Sequence, residues 1–206
     1  QTGKKVDWVK FNNVKSFLAA SNLNVESTHL GRIVFDVSYG GNFYAIVDPQ
    51  KNFNGLQDYT ATELIQFSRE IRERINNKYA NQFIHPENET IKDVSHVLWT
   101  GKTLAENATA RNAVFYGDNA IDRSPCGTGT SARMAQWHAK GLLKPGEDFI
   151  HESFIGSQFI GRIEEVTTLD DQPAIVPSIM GWARIYGYNN IIIDDDDPFA
   201  GGFQVI

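Results

Sequence analysis

Cysteine is nearly absent from this chain: Cys126 is the single one in 206 residues, so an internal disulfide framework is excluded. Basic charge is also scarce. Lys and Arg number 19 against 25 Asp and Glu, a formal charge of −6, and no basic face suited to nucleic acid is present. Long apolar runs are missing as well, so no membrane partner is expected and cytoplasm is the default location. The five histidines show neither HxxxH nor HExxH spacing, which argues against a metal centre. Four consecutive carboxylates, Asp194 to Asp197, do not change that reading. In an extended chain they alternate in direction, and Pro198 after them marks a solvated turn. What remains is a composition 41% hydrophobic and 12% aromatic, enough for one core with an appended segment.

Two helices stand out. The first starts where Thr60 and Glu63 form a capping-box pattern, carries Leu64, Phe67, Ile71 and Ile75 on one face, and ends near Asn76 and Asn77. The second follows Cys126, with Ala132, Ala135, Ala139 and Leu142 spaced for one buried face. Its alanines predict close packing against several strands, as a central helix. Strand patterns cover VDWVKF (6–11), RIVFDVSY (32–39), NFYAIV (42–47), SHVLW (95–99), AVFYG (113–117), DFIHESFI (148–155) and IMGWARIYGY (179–188). In RIVFDVSY, Ile33, Phe35, Val37 and Tyr39 share a face. Strands joined without helices favour antiparallel pairing, so an α+β fold with a curved, mostly antiparallel sheet around a central helix is expected.

The densest chemical signal is DRSPCGTGTSARMAQW (122–137). Gly127, Thr128, Gly129, Thr130 and Ser131 open a helix, so free backbone N–H groups can point at a carboxylate or phosphate. The same partial positive charge favours thiolate over thiol, which makes Cys126 a candidate base or nucleophile. Asp122, four positions earlier, can meet a cationic amine while the helix end holds a carboxylate. Together they suggest an amino-acid site. The alternative is a buried small hydrophobe, with glycines that merely permit tight packing. Gly127, Gly129 and Ala132 also fit GxGxxA, but a polar loop rather than a strand runs into the first glycine, so a dinucleotide turn is disfavoured. No Lys follows the glycines as a phosphate loop requires. His29, His85 and His138 read as surface or capping residues, His96 as a strand residue, and His151 with Glu152 as strand. Tyr39, Gly40 and Gly41 can shape a loop near the pocket or form a glycine bulge.

SYGGNFYAIVD (38–48), ARNAVFYGDNAIDRSPCGTGTSARMAQ (110–136), HESFIGSQFIGRI (151–163) and GYNNIIIDDDDPFAGGF (187–203) resemble the proline racemase family over nearly the whole chain. The resemblance implies a fold like one half of diaminopimelate epimerase and cofactor-free inversion at the α-carbon of proline-like amino acids. In that reaction two cysteines on opposite faces remove and return a proton. Cys126 matches the second of them. By the same resemblance Gly127 and Thr128 hold the substrate carboxylate through their amides, Asp122 holds the ring nitrogen, and His96 contacts the substrate. VSHVLWTGK with ATARNAVFYGDNAIDRSPC is more similar to the family's 4-hydroxyproline 2-epimerases than to its proline racemases. The family's 3-hydroxyproline dehydratases resemble this pattern with Thr at position 126.

The family's first motif, Cys-Gly-His, has no match here. The chain is therefore expected to be a C-terminal portion, inactive alone: residues 1–188 as the catalytic domain and 189–206 as a segment returning to an N-terminal domain. That domain and a 4-hydroxyproline or proline substrate are its expected partners, with a homodimer left open. Two other classes stay in play. A cysteine hydrolase would pair Cys126 with a histidine, and a ligand-binding or structural domain would have no activity.

Overall fold

The structure is a computed structural model that describes residues 6–202. The outermost residues of the expected 1–188 and 189–206 units, 1–5 and 203–206, lie outside the described residues. The strands are β1 (Val9–Asn12), β2 (Phe17–Ser27), β3 (Gly31–Tyr39), β4 (Phe43–Val47), β5 (Ile84–His85), β6 (Asn88–Lys92), β7 (Val94–Gly101), β8 (Ala110–Tyr116), β9 (Ala120–Ile121), β10 (Asp148–Glu152), β11 (Gln158–Leu169) and β12 (Gln172–Gly181). The helices are α1 (Ala61–Lys78) and α2 (Gly127–Ala139).

Ten strands form one sheet in the order β1-β12-β11-β10-β8-β7-β4-β3-β2, with β9 beside β8; β5 and β6 form a separate hairpin. Pairing is antiparallel except at β4/β7 and β8/β10. In each of these two pairs one helix lies between the strands in sequence, α1 in the first and α2 in the second. A helical crossover brings the chain back in the same direction, whereas a short turn reverses it. Ser16, next to β2, exchanges backbone hydrogen bonds of 2.8 and 2.9 Å with Ile175 of β12. The far ends of the sheet therefore meet, and the sheet curls almost into a barrel with α2 inside, touching β2, β3, β4, β11 and β12.

The two helices occupy opposite faces. Thr60 and Glu63 form the full capping box at the start of α1. Leu64, Phe67, Ile71 and Ile75 bury against a cluster that includes Ile33, Phe35, Val37 and Trp99 on the outer face. Each such side chain contributes about 1.5–3 kcal/mol when fully buried. Alternation along β3 then sends Asp36 and Ser38 inward, where the Ser38 hydroxyl donates to the Ala132 carbonyl at 2.8 Å. Ile46, Leu98, Val114 and Ala132 complete the inner side.

Several expectations need correction. Residues Gly129 through Gln136 of α2 are buried all round rather than on one face, because sheet surrounds the helix. Its last turn leaves the barrel: Ala139 is exposed, Leu142 lies past the helix end at 60% exposure, and Leu143 is the residue that buries. The strand expected over 179–188 stops at Gly181, and Tyr188 is 91% exposed. That expected over 148–155 stops at Glu152, where Ser153 begins a turn closed by the Gly156 amide on its carbonyl at 3.1 Å. His85 is not a surface residue but is buried against Tyr39, ring centroids 4.6 Å apart. Asp194 to Asp197 form an exposed turn, with the Asp197 amide donating to the Asp194 carbonyl at 3.1 Å. Among the described residues no helix is long and apolar enough to cross a membrane.

Candidate active site

Cys126 is the N-cap of α2 and sits at φ 62°, in the left-handed region that a non-glycine residue rarely adopts. Such a conformation costs on the order of 1–3 kcal/mol and persists only where neighbours enforce it. Those neighbours are present. The Ser124 hydroxyl accepts from the Cys126 amide at 3.1 Å, and the Pro125 carbonyl accepts from Asn112 Nδ2 at 2.8 Å and from the Thr130 hydroxyl at 3.3 Å. Thr130 is held in turn by His151 Nδ1 at 2.9 Å. His151 is fully buried, and burial followed by the nearby Arg133 charge pushes its pKa from 6.5 to about 3, so it is neutral at physiological pH.

The bracket turns the sulfur toward the first turn of the helix. Gly129 N–H donates to Sγ at 3.4 Å, the Thr128 hydroxyl lies 3.6 Å away, and the Tyr44 hydroxyl 3.3 Å away. Among the described residues the amides of Gly127 and Thr128 have no protein acceptor, as expected for the first two positions of a helix. They carry the positive end of the helix dipole. A cavity of about 340 Å³ lined by Ser124, Gly127, Phe11, Phe159 and Trp182 opens at this end. A larger cavity of about 430 Å³ around His85 and Phe83 shares no lining residue with the cluster.

His96 and Asp122 complete the group. Register pairs Tyr44 of β4 with His96 of β7, so their rings lie 4.8 Å apart at 32°. His96 Nδ1 meets the Ser95 hydroxyl at 2.7 Å. Burial first, then the Arg72 charge, lowers the His96 pKa from 6.5 to about 4, while Asp122 acts in the opposite direction. His96 is thus a neutral imidazole that can either donate or accept. Asp122 leads into the motif from β9, its carboxylate accepting from the Ser124 amide at 2.8 Å. The structure therefore brings all five expected residues, Cys126, His96, Asp122, Gly127 and Thr128, to one end of α2. No imidazole is among the hydrogen-bond partners of Cys126 in the described residues, which leaves the cysteine-hydrolase reading without its activating base.

Tyr44, Asn112, Thr130 and His151 were not picked out from the sequence as site residues. The signal for Tyr44 was its even spacing with Ile46 on the helix-facing side of β4. His151 lay in a segment legible only as strand.

The arrangement offers two free amides to an anion at the helix end, the Asp122 carboxylate to a cation, and a thiol beside the first turn of the helix. The family model described as proline racemase matches residues 1–204. The chain is 66% identical over 206 residues to a 4-hydroxyproline 2-epimerase of Spirosoma linguale, covering all of this chain and 61% of that protein. It is 60% identical over 205 residues to a 4-hydroxyproline epimerase of Brucella ovis, again with 61% of the relative covered. The fold is similar to a crystal structure of a hydroxyproline epimerase from Agrobacterium vitis with bound trans-4-hydroxy-L-proline, at TM-score 0.85 and 32% identity. That match covers 97% of this chain and 56% of the other. The chain thus spans about 61% of the length of the curated relatives it matches.

Proposed function

The chain belongs to the proline racemase family, and on that premise we propose that it supplies one face of a cofactor-independent two-base epimerase acting at the α-carbon of 4-hydroxyproline. The observation that carries the proposal is the convergence of Cys126 Sγ, the two free amides of Gly127 and Thr128, and Asp122 at one helix end. Relatives named for 4-hydroxyproline support the choice of substrate over proline.

An α-proton beside a carboxylate is very weakly acidic, so the site must stabilise the negative charge that its removal creates. In the proposal the Gly127 and Thr128 amides donate to the substrate carboxylate, where charge accumulates as the carbon becomes planar. One such preorganised donor is worth about 2.7–4 kcal/mol in comparable sites. Asp122 keeps the ring nitrogen protonated, so it withdraws electrons from the same carbon. A thiolate on one face takes the α-proton, and the electron pair left behind delocalises into the carboxylate. A thiol on the opposite face then returns a proton to the carbon, inverting it and leaving the two sulfurs with exchanged protonation. Cys126 is one of these groups. Being the single cysteine of the 206 residues, it needs a partner base from outside them. His96, neutral because of its burial, serves as a hydrogen-bond partner for substrate, suited to a ring hydroxyl. Within this proposal residues 1–188 form the catalytic unit and 189–206 a segment reaching toward the part that carries the second base.

Chiral chromatography of 4-hydroxyproline and proline incubated with a longer protein carrying these residues tests the reading, with the 206-residue chain alone run in parallel. The expected result is the C2 epimer of 4-hydroxyproline, formed with higher kcat/KM than for proline, and no turnover by the chain alone. Calorimetric binding of pyrrole-2-carboxylate, a planar mimic of the deprotonated carbon, without any epimer from the longer protein would replace the proposal by a binding domain.

A further inference from the structure

We infer that Tyr44 is a positioning residue for Cys126: its hydroxyl, backed by the Thr128 hydroxyl, donates to the sulfur and holds it ready to carry negative charge. The inference deepens the reading that Cys126 is a proton-transfer base and rests on it.

Tyr44 lies on β4, a central strand fixed between β3 and β7, and its side chain has no exposed surface. The ring has nowhere to rotate. One face packs on His96, and an added Cβ at Gly129 would stand 3.3 Å from ring atom Cε1 and 3.3 Å from the cysteine Sγ, so glycine there makes room for both. The hydroxyl is 2.6 Å from Thr128 Oγ1 and 3.3 Å from Sγ. The oxygen therefore has a neighbour on each side, and the order of donors follows from chemistry. Thiolate only accepts. When the sulfur is ionised the phenol, at 3.3 Å against 3.6 Å for the Thr128 hydroxyl, is the nearer donor to it, and its oxygen is then free to accept from Thr128. Burial, then the adjacent sulfur, pushes the Tyr44 pKa well above its ordinary 10.0. The phenol accordingly keeps its proton and acts as a donor, not as a second base. With the Gly129 amide, the sulfur has two donors in place before substrate arrives.

The ionisable groups around this pair are few: Asp122 from the loop after β9, His96 from β7, and Arg72 from α1, which acts on His96. His96 is neutral and leans on the ring instead of the sulfur. The phenol is thus the polar side chain from the sheet that reaches Sγ, and through its ring it also spaces the thiol from the imidazole.

The test is Tyr44→Phe in a longer protein carrying these residues, which keeps the ring and removes the hydroxyl. Iodoacetamide alkylation is followed on the Cys126 peptide by mass spectrometry across pH, beside the steady-state kinetics on 4-hydroxyproline. Loss of a donor to a charged sulfur predicts an alkylation rate about tenfold lower at pH 7, converging with wild type at alkaline pH where all thiols are ionised. The kcat falls about tenfold while KM changes less than about threefold, because the hydroxyl acts on how readily the sulfur ionises and does not itself hold the substrate. Thr128→Val, which leaves Tyr44 intact but removes the group behind it, lowers alkylation in the same direction and carries the test if Tyr44→Phe does not fold. Alkylation profiles identical to wild type overturn the inference. Slower alkylation with unchanged epimerisation upholds the hold of Tyr44 on the sulfur and refutes instead the catalytic assignment of Cys126.

Discussion

Replacing Gly40 by alanine adds a single methyl group at the tightest approach between the sheet and α2. An ideal Cβ there would stand 2.2 Å from the Thr128 carbonyl oxygen and 2.5 Å from the Ala132 amide nitrogen. Both are backbone atoms of the helix, from residues about one helical turn apart, and neither can swing aside as a side chain would. Restoring ordinary contact requires α2 or the β3–β4 turn to move by on the order of 1 Å. Overpacking of this kind costs about 1–3 kcal/mol or somewhat more. In a chain of this size each 1 kcal/mol lowers Tm by about 2–4 °C, so a fall of roughly 2–12 °C is expected. The displaced turn carries Thr128, its free amide and its hydroxyl on Tyr44. A misplacement near 1 Å at such a site costs turnover about 100-fold. Circular dichroism melts of this chain and initial rates of a longer protein carrying these residues measure both effects of Gly40→Ala, with Gly201→Ala as control, since an added Cβ at exposed Gly201 meets nothing. If Gly40→Ala melts and turns over like the control, the packing argument that places the helix end is wrong.

Acid should destabilise the fold through two histidines. The folded-state pKa values of His96 and His151, about 4 and about 3, lie below the ordinary 6.5. The unfolded chain therefore binds protons below pH 6.5 that the folded chain refuses, and stability falls as pH drops through that window. The expected slope is about 1.4 kcal/mol per unit for each histidine. Urea unfolding between pH 7.5 and 5 measures it, and His151→Gln should remove about half the slope; an unchanged slope counts against the assignment. Ser68→Ala strands the buried Trp99 Nε1–H, which donates to the Ser68 hydroxyl at 2.7 Å. The loss should be about 1–3 kcal/mol in chemical unfolding, and a neutral result would mean the indole finds another acceptor. Asp122→Ala should lower kcat/KM by about 10- to 100-fold, with KM raised and kcat lowered together, because it removes a charged partner in both the bound and the reacting states. A wild-type kcat/KM would remove Asp122 from the site.

The first helix was legible because its cap and its apolar face are local: Thr60, Glu63, Leu64, Phe67, Ile71 and Ile75 all lie within one segment, and the structure reproduces each role. The second was legible at its start and misread along its length. Burial on every side depends on strands up to a hundred residues away, as in the Gln136 to Asp36 hydrogen bond. Two long strands escaped pattern reading for a different reason. In β2 the register shifts between Leu18 and Leu23 around Asn22, which sits at φ 56°, and in β11 it shifts between Ile163 and Glu165. Each irregularity breaks the two-residue alternation on which strand reading depends. At the site, the cysteine motif announced Cys126, Gly127, Thr128 and Asp122 as one cluster in sequence. Tyr44 lies 82 residues from Cys126 and meets it only because β4 faces the helix.

The central claim is that Cys126 exchanges a proton with the α-carbon of a bound amino acid. Incubating 4-hydroxyproline in deuterium oxide with a longer protein carrying these residues, wild type beside Cys126→Ser, and following the α-hydrogen by NMR, tests it directly. The account predicts deuterium at the α-carbon and the C2 epimer with wild type, and no epimer with the serine variant at unchanged fold; epimerisation by the serine variant at the wild-type rate would contradict it.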